Sequence, residues 1–178
     1  MKKKVWKYGL IAGALVSLWM VASIAYCYST QQFEGSIWLG YASMIIAFSM
    51  IFVGVKNYRD KELNGIISFG KAFKMGLTIS LVASTLYMLV WLIDYYVFVP
   101  DFMDKFTEHS ISQIQENIDG TEVKAKIEEM NSMKELYKNP LMVILFTYLE
   151  ILPVGLVVSL ITAFILKRKN KETVLSRN

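Results

Sequence analysis

The 178-residue chain has a single cysteine, Cys27, and a single histidine, His109. The first count excludes a disulfide framework, and the two together exclude a Cys/His metal cluster. Charge is scarce too: 19% of residues are charged and 54% are hydrophobic, the reverse of a disordered composition. The net charge of +4 suggests nucleic acid only if the basic residues share a soluble face, so their placement decides what it means.

The missing charges are missing from four places. Val5 to Ser29 holds Lys7 alone, Ser36 to Val55 holds none, Met75 to Pro100 holds Asp94, and Pro140 to Leu166 holds Glu150. Each run is about 20 residues or longer, which at 1.5 Å per residue crosses the roughly 30 Å hydrocarbon core. Soluble helices of this length would show a polar face, and these runs do not. The reading is all-α: one membrane domain over 1–178 with transmembrane helices at about 6–28, 37–55, 75–99 and 141–166.

Orientation follows from the basic residues. Lys2, Lys3, Lys4 and Lys7 precede the first span; Lys56, Arg59, Lys61, Lys71 and Lys74 separate the second and third; Lys167, Arg168, Lys169, Lys171 and Arg177 follow the fourth. These are fourteen of the 19 Lys and Arg residues, all on one side of a four-span chain. The other side carries Glu34 and the segment 101–139, where nine acids face five lysines. The positive-inside rule therefore expects both termini, and the basic tail 167–178, in the cytoplasm of a cell. Tyr26, Tyr28, Trp38, Tyr41, Trp91, Tyr95 and Tyr96 gather at the expected outer ends, with Trp6, Tyr8 and Tyr58 at the inner ones. Lys2 to Lys4 and Ser23-Ile24-Ala25 outline a cleavable signal, but the apolar run exceeds the roughly 7–15 residues of a signal core and is read as a retained span.

Helices in lipid associate by close backbone approach, so small residues at four-residue spacing are informative. Gly9, Gly13 and Ser17 form one such stripe, Ala72, Gly76, Ser80 and Ser84 a second, and Gly155, Ser159 and Ala163 a third. They are expected to pack the bundle, with Gly9, Gly13 and Ser17 open to the alternative of a homodimer seam. In the extracytoplasmic segment 101–139, Phe102, Phe106, Ile111, Ile114 and Ile118 recur at helical spacing, Asp119-Gly120 breaks the run, and Thr121 can cap a helix carrying Val123, Ile127, Met130 and Leu136. A helical hairpin follows, with Pro100 and Pro140 at its junctions.

Gly65-Ile66-Ile67-Ser68-Phe69-Gly70-Lys71-Ala72 approaches a phosphate-binding loop, but Ala72 replaces the required Ser or Thr and a membrane helix precedes it. Asn64-Gly65 instead reads as a turn and Ser68 as the cap of the third span. Together with Gly54 and Asn57-Tyr58-Arg59-Asp60, and continuing through Phe73-Lys74-Met75-Gly76, this stretch resembles the signature of domain-of-unknown-function family 4199. The resemblance implies a small four-span integral membrane protein of the bacterial cell membrane, and it brings no activity, cofactor or site residue with it.

The candidate functional residues are the two acids within spans. Glu150 stands about 15 Å inward from Pro140 at helical rise, where a charge costs roughly 2.5–3.5 kcal/mol or more. It is expected to be protonated, bonded to Thr147 or a neighbouring helix, or lined by water, and Pro153 leaves the Leu149 carbonyl without its helical donor. Asp94 is shallower, beside Tyr95 and Tyr96. Nothing in the sequence assembles a catalytic, cofactor or metal site: His109 reads as a solvated surface residue and Cys27 as packing. The expected partners are the lipid bilayer, with inner Lys and Arg near anionic headgroups, and a homo-oligomer; nucleic acid is not expected. The first functional expectation is a non-enzymatic interaction or assembly component using the hairpin. The alternative is a small proton- or cation-coupled transport element using Glu150 and Asp94.

Overall fold

The computed structural model describes residues 1–31, 33, 37–117 and 121–168. Six α-helices run in the order α1 (Lys2–Thr30), α2 (Ile37–Glu62), α3 (Phe69–Ile93), α4 (Phe102–Asn117), α5 (Thr121–Tyr137) and α6 (Pro140–Leu166). A π-helical turn, Asp94–Phe98, continues α3, and no strand occurs among the described residues. α1, α2, α6 and α3 with its π turn are long and apolar enough to cross a membrane. α6 coincides with its apolar run, while α2 and α3 extend beyond theirs into the basic loop between them.

Local chemistry sets the helix ends. Ser68 caps α3 by accepting from the Lys71 amide at 3.4 Å. Asn64 and Gly65 both take positive φ, 49° and 81°, which makes the turn that separates α2 from α3. Gly70 and Lys71 therefore lie within a helix rather than in a phosphate-cradling loop. Asn139 caps α6 by accepting from the Leu141 amide at 3.0 Å, and Pro140 occupies the first turn, where its missing N–H is harmless.

The spans form a ring in the order α1, α3, α6, α2, with α2 and α3 also touching across it. Gly76 on α3 sits where a Cβ would come within 3.1 Å of the Ser159 Cβ, and Gly155 on α6 is pressed against Ser80 and the Phe48 ring. The second and third small-residue stripes thus face each other. Gly9 and Gly13 face α3 instead: Cβ atoms there would meet Val82 at 2.7 Å and the Ala83 carbonyl at 2.9 Å. Gly9, Gly13 and Ser17 are buried within one chain, so this stripe is a helix-packing seam and not a free homodimer surface.

The half of the bundle nearer the termini is filled by Phe48, Ile51, Met75 and Ile79, all fully buried. At that end Lys4 pairs with Glu62 at 3.2 Å, and Lys4 and Lys71 both stand over the Tyr58 ring. In the other half, residues of α4 and α5 join those of the spans around two cavities. Ile118, the Asp119-Gly120 break, the Thr121 cap, Glu34 and the tail from Lys169 onward fall outside the described residues or side chains.

Candidate functional site

The hairpin is held against the end of α3 by aromatic contacts. The Phe102 ring meets Trp91 edge-on at 5.5 Å and stacks on Phe106 at 5.9 Å, while Tyr137 meets Tyr95 at 6.1 Å and stacks on Phe146 at 5.6 Å. Lys134 on α5 reaches Asp104 on α4 at 2.6 Å, which binds the two hairpin helices to each other. Tyr28 at the end of α1 donates to the Asp101 carboxylate at 2.6 Å, and Lys105 pairs with the same carboxylate at 2.9 Å. Apolar hairpin residues thus turn onto the bundle, where Met103 and Thr107 are buried.

Beneath this roof lie two adjoining cavities of about 370 and 550 Å³. Both are lined by Met20, Ile24, Tyr87, Phe102, Phe106 and Glu150. The smaller adds Trp91, Met133, Tyr137 and Thr147; the larger extends between the ends of α1 and α2, past Cys27 and Ser43. Glu150 is exposed to this space and, among the described residues, makes no hydrogen bond or ion pair. The Thr147 hydroxyl donates to its own helix, at the Val143 carbonyl, rather than to Glu150. Among the described residues no Lys, Arg or His lines either cavity; Tyr26, Tyr87, Tyr137 and Cys27 are the other titratable groups there. Burial pushes the Tyr137 phenol up to about 12, and the nearby Glu150 charge adds to the shift.

Asp94 occupies a different place. It opens the π turn, where the Val99 amide donates to the Asp94 carbonyl at 2.9 Å, and its side chain is only 7% exposed. Its Oδ2 is buried without a hydrogen-bond partner. It lines a third cavity, about 480 Å³, between α1 and the end of α3, among Val21, Ala25, Val90 and Phe98. Ile24 borders all three cavities and stands between the two acids' sites. The structure therefore does not bring Asp94 and Glu150 into one site.

Sequence reasoning located Glu150 but missed what surrounds it. The rings of Tyr87, Phe102, Phe106 and Tyr137 come from α3, α4 and α5. Their convergence depends on the hairpin folding back, which periodicity within one helix does not encode. His109 lies on α4 within 3.3 Å of Gln113, away from the cavities.

The model of a protein family described as a protein of unknown function (DUF4199) matches residues 7–168, and the chain belongs to that family. No curated protein and no solved structure matches the chain.

Proposed function

We propose that this protein is a non-enzymatic component of the bacterial cell membrane, with cytoplasmic termini, that takes up a proton or cation at Glu150 as a small transport element. One observation carries the reading: a carboxylate without a partner, at membrane depth, in the wall shared by two cavities. An ionised carboxylate in a span costs roughly 2.5–3.5 kcal/mol or more, and among the described residues no basic side chain lines the cavities to offset it. The compensating positive charge then comes from outside the chain. Because the terminal half is filled by buried side chains, access is from the hairpin side, and passage across the bilayer requires a rearrangement or a second copy. At the terminal end, exposed Lys56, Lys61, Lys71 and Lys74 suit anionic lipid headgroups. The test is ion and proton flux in proteoliposomes. Glu150→Gln is expected to bring flux to the protein-free level, and flux equal to wild type would remove the proposal.

A second reading, an interaction or assembly component with the hairpin as its contact surface, is favoured by the exposed side chains of Met133 and Leu136 on α5. Deleting Phe102 to Lys138 would then abolish partner crosslinks in native membranes while leaving insertion intact. Unchanged crosslinks would overturn that reading.

A further inference from the structure

We infer that the Glu150 vestibule is a binding site for an amphiphilic organic cation: a single positive centre, quaternary or a protonated amine, on an apolar body. The inference rests on the Glu150 reading and names its ligand class.

Charge complementarity sets the sign. Among the described residues lining the two cavities Glu150 is the sole acid, and none of them is basic. An anion would face an uncompensated carboxylate, and a neutral apolar ligand would leave that carboxylate unpaired.

The rest of the lining decides between an inorganic and an organic cation. A hard metal ion takes about six or more oxygen ligands. Among the described residues the lining offers one carboxylate and scattered hydroxyls, and no group of three or more His, Cys, Asp or Glu side chains that could hold a metal ion. What the walls do offer is aromatic: Tyr87, Trp91, Phe102, Phe106 and Tyr137, contributed by α3, α4 and α5. Ring faces attract a weakly hydrated cation, most strongly where water is excluded. The cavity volumes, about 370 and 550 Å³, fall in the range of small-molecule sites. A bare proton would need none of that space.

The route in points the same way. The larger cavity is bordered by Trp19, Tyr26 and Leu39, which are 42%, 65% and 54% exposed on the bundle's lateral surface. These residues lie on α1 and α2, helices long and apolar enough to cross a membrane, which supports a mouth facing the leaflet on the hairpin side. A molecule that partitions into that leaflet by its apolar body reaches Glu150 without crossing the aromatic roof.

The probe is tetraphenylphosphonium, titrated against the full chain in neutral detergent and read by equilibrium dialysis and tryptophan fluorescence. Saturable binding at one site per chain is expected. Glu150→Gln should weaken it roughly tenfold or more, corresponding to about 1.4 kcal/mol. Glu150→Asp should restore part of the affinity, and Asp94→Asn, in the separate cavity, should leave it unchanged; gel filtration confirms that each variant is folded. Tetraphenylborate, of the same shape and opposite sign, should not bind. Equal binding of both probes, or phosphonium binding indifferent to Glu150→Gln, would overturn the inference. Repeating the titration in nanodiscs of phosphatidylglycerol and of phosphatidylethanolamine distinguishes the sources. Competition by the amine lipid identifies the occupant as a lipid ammonium, and its absence identifies a free organic cation; both support the site's chemistry. The outcome is separable from the transport reading. Glu150-dependent proton flux without phosphonium binding removes this inference alone, whereas phosphonium binding without Glu150-dependent flux removes the transport reading alone.

Discussion

The Tyr28 hydroxyl, at the end of α1, donates a 2.6 Å hydrogen bond to Asp101, the residue that precedes α4. This bond joins the first span to the hairpin across 73 residues of sequence, and Lys105 supports it by pairing with Asp101 and standing 4.4 Å from the Tyr28 ring centroid. Tyr28→Phe keeps the ring and removes the donor. It should loosen the first turn of α4, with several-fold faster hydrogen exchange at residues 102–106 while α3 and α6 remain protected. Exchange unchanged at these amides would show that the aromatic packing of Phe102 and Phe106 alone holds the roof.

Acid should have the same local effect. The Tyr28 hydrogen bond, and then the Lys105 pair, hold the Asp101 carboxyl below the usual carboxylate range. A group whose folded pKa is depressed contributes stability above its unfolded value, about 3.9, and loses it as pH falls through the folded value. Protection factors for residues 102–106 should therefore be flat from neutral pH to about 5 and drop below about 4. In Asp101→Asn the step should disappear, the protection being low throughout. A step persisting in that variant would assign the titration to another acid.

A third prediction concerns the α1–α3 seam. A Cβ on Gly13 would lie 2.9 Å from the Ala83 carbonyl, and one on Gly9 would lie 2.7 Å from the Val82 Cβ and 3.2 Å from the Ile79 carbonyl, atoms that no rotamer change moves. Overpacking of this kind costs about 1–3 kcal/mol. Gly13→Ala and Gly9→Ala should each lower the thermal midpoint in detergent. Because the seam is internal, neither change should alter a crosslinked oligomer pattern in native membranes. Selective loss of an oligomer band in Gly13→Ala, with the midpoint unchanged, would contradict the seam assignment.

Different physical signals account for what could be read in advance. Four runs with at most one charge each sufficed for the spans, because the bilayer's thickness imposes a length and its interior makes charge costly. Ser68 and the Asn64-Gly65 turn were legible because capping and positive φ are local demands. The stripes identified packing faces, since apolar side chains in lipid cover both the core side and the lipid side of a helix while small residues mark close approach. Which stripe meets which was not legible: Gly76 with Ser159, and Gly13 with Ala83, follow from the ring order of the helices. The π turn at Asp94 was likewise invisible, since Asp94-Tyr95-Tyr96-Val97-Phe98 carries no breaker and the departure from α-helix precedes Pro100. Glu150 could be singled out by its cost in a span. Its partnerless position beneath Phe102 and Phe106 could not, because those rings come from a segment that had equal reason to lie on the membrane or meet a partner.

The separation of Asp94 from Glu150 leads to the last prediction. The two acids line different cavities, and Ile24 borders both spaces. Effects of substitutions without shared partners add to within about 0.3–0.5 kcal/mol. The unfolding free energies of Asp94→Asn, Glu150→Gln and the double variant in detergent should therefore close a cycle with negligible coupling. Ile24 is buried, and cutting it to alanine removes the side chain between the cavities, at about 2–5 kcal/mol of stability. In the Ile24→Ala background the same cycle should give a coupling above about 0.5 kcal/mol, because water and field then pass between the two carboxyls. Strong coupling in the otherwise unaltered chain would mean that the acids share one site, and the assignment of cation uptake to Glu150 alone would have to be extended to the pair.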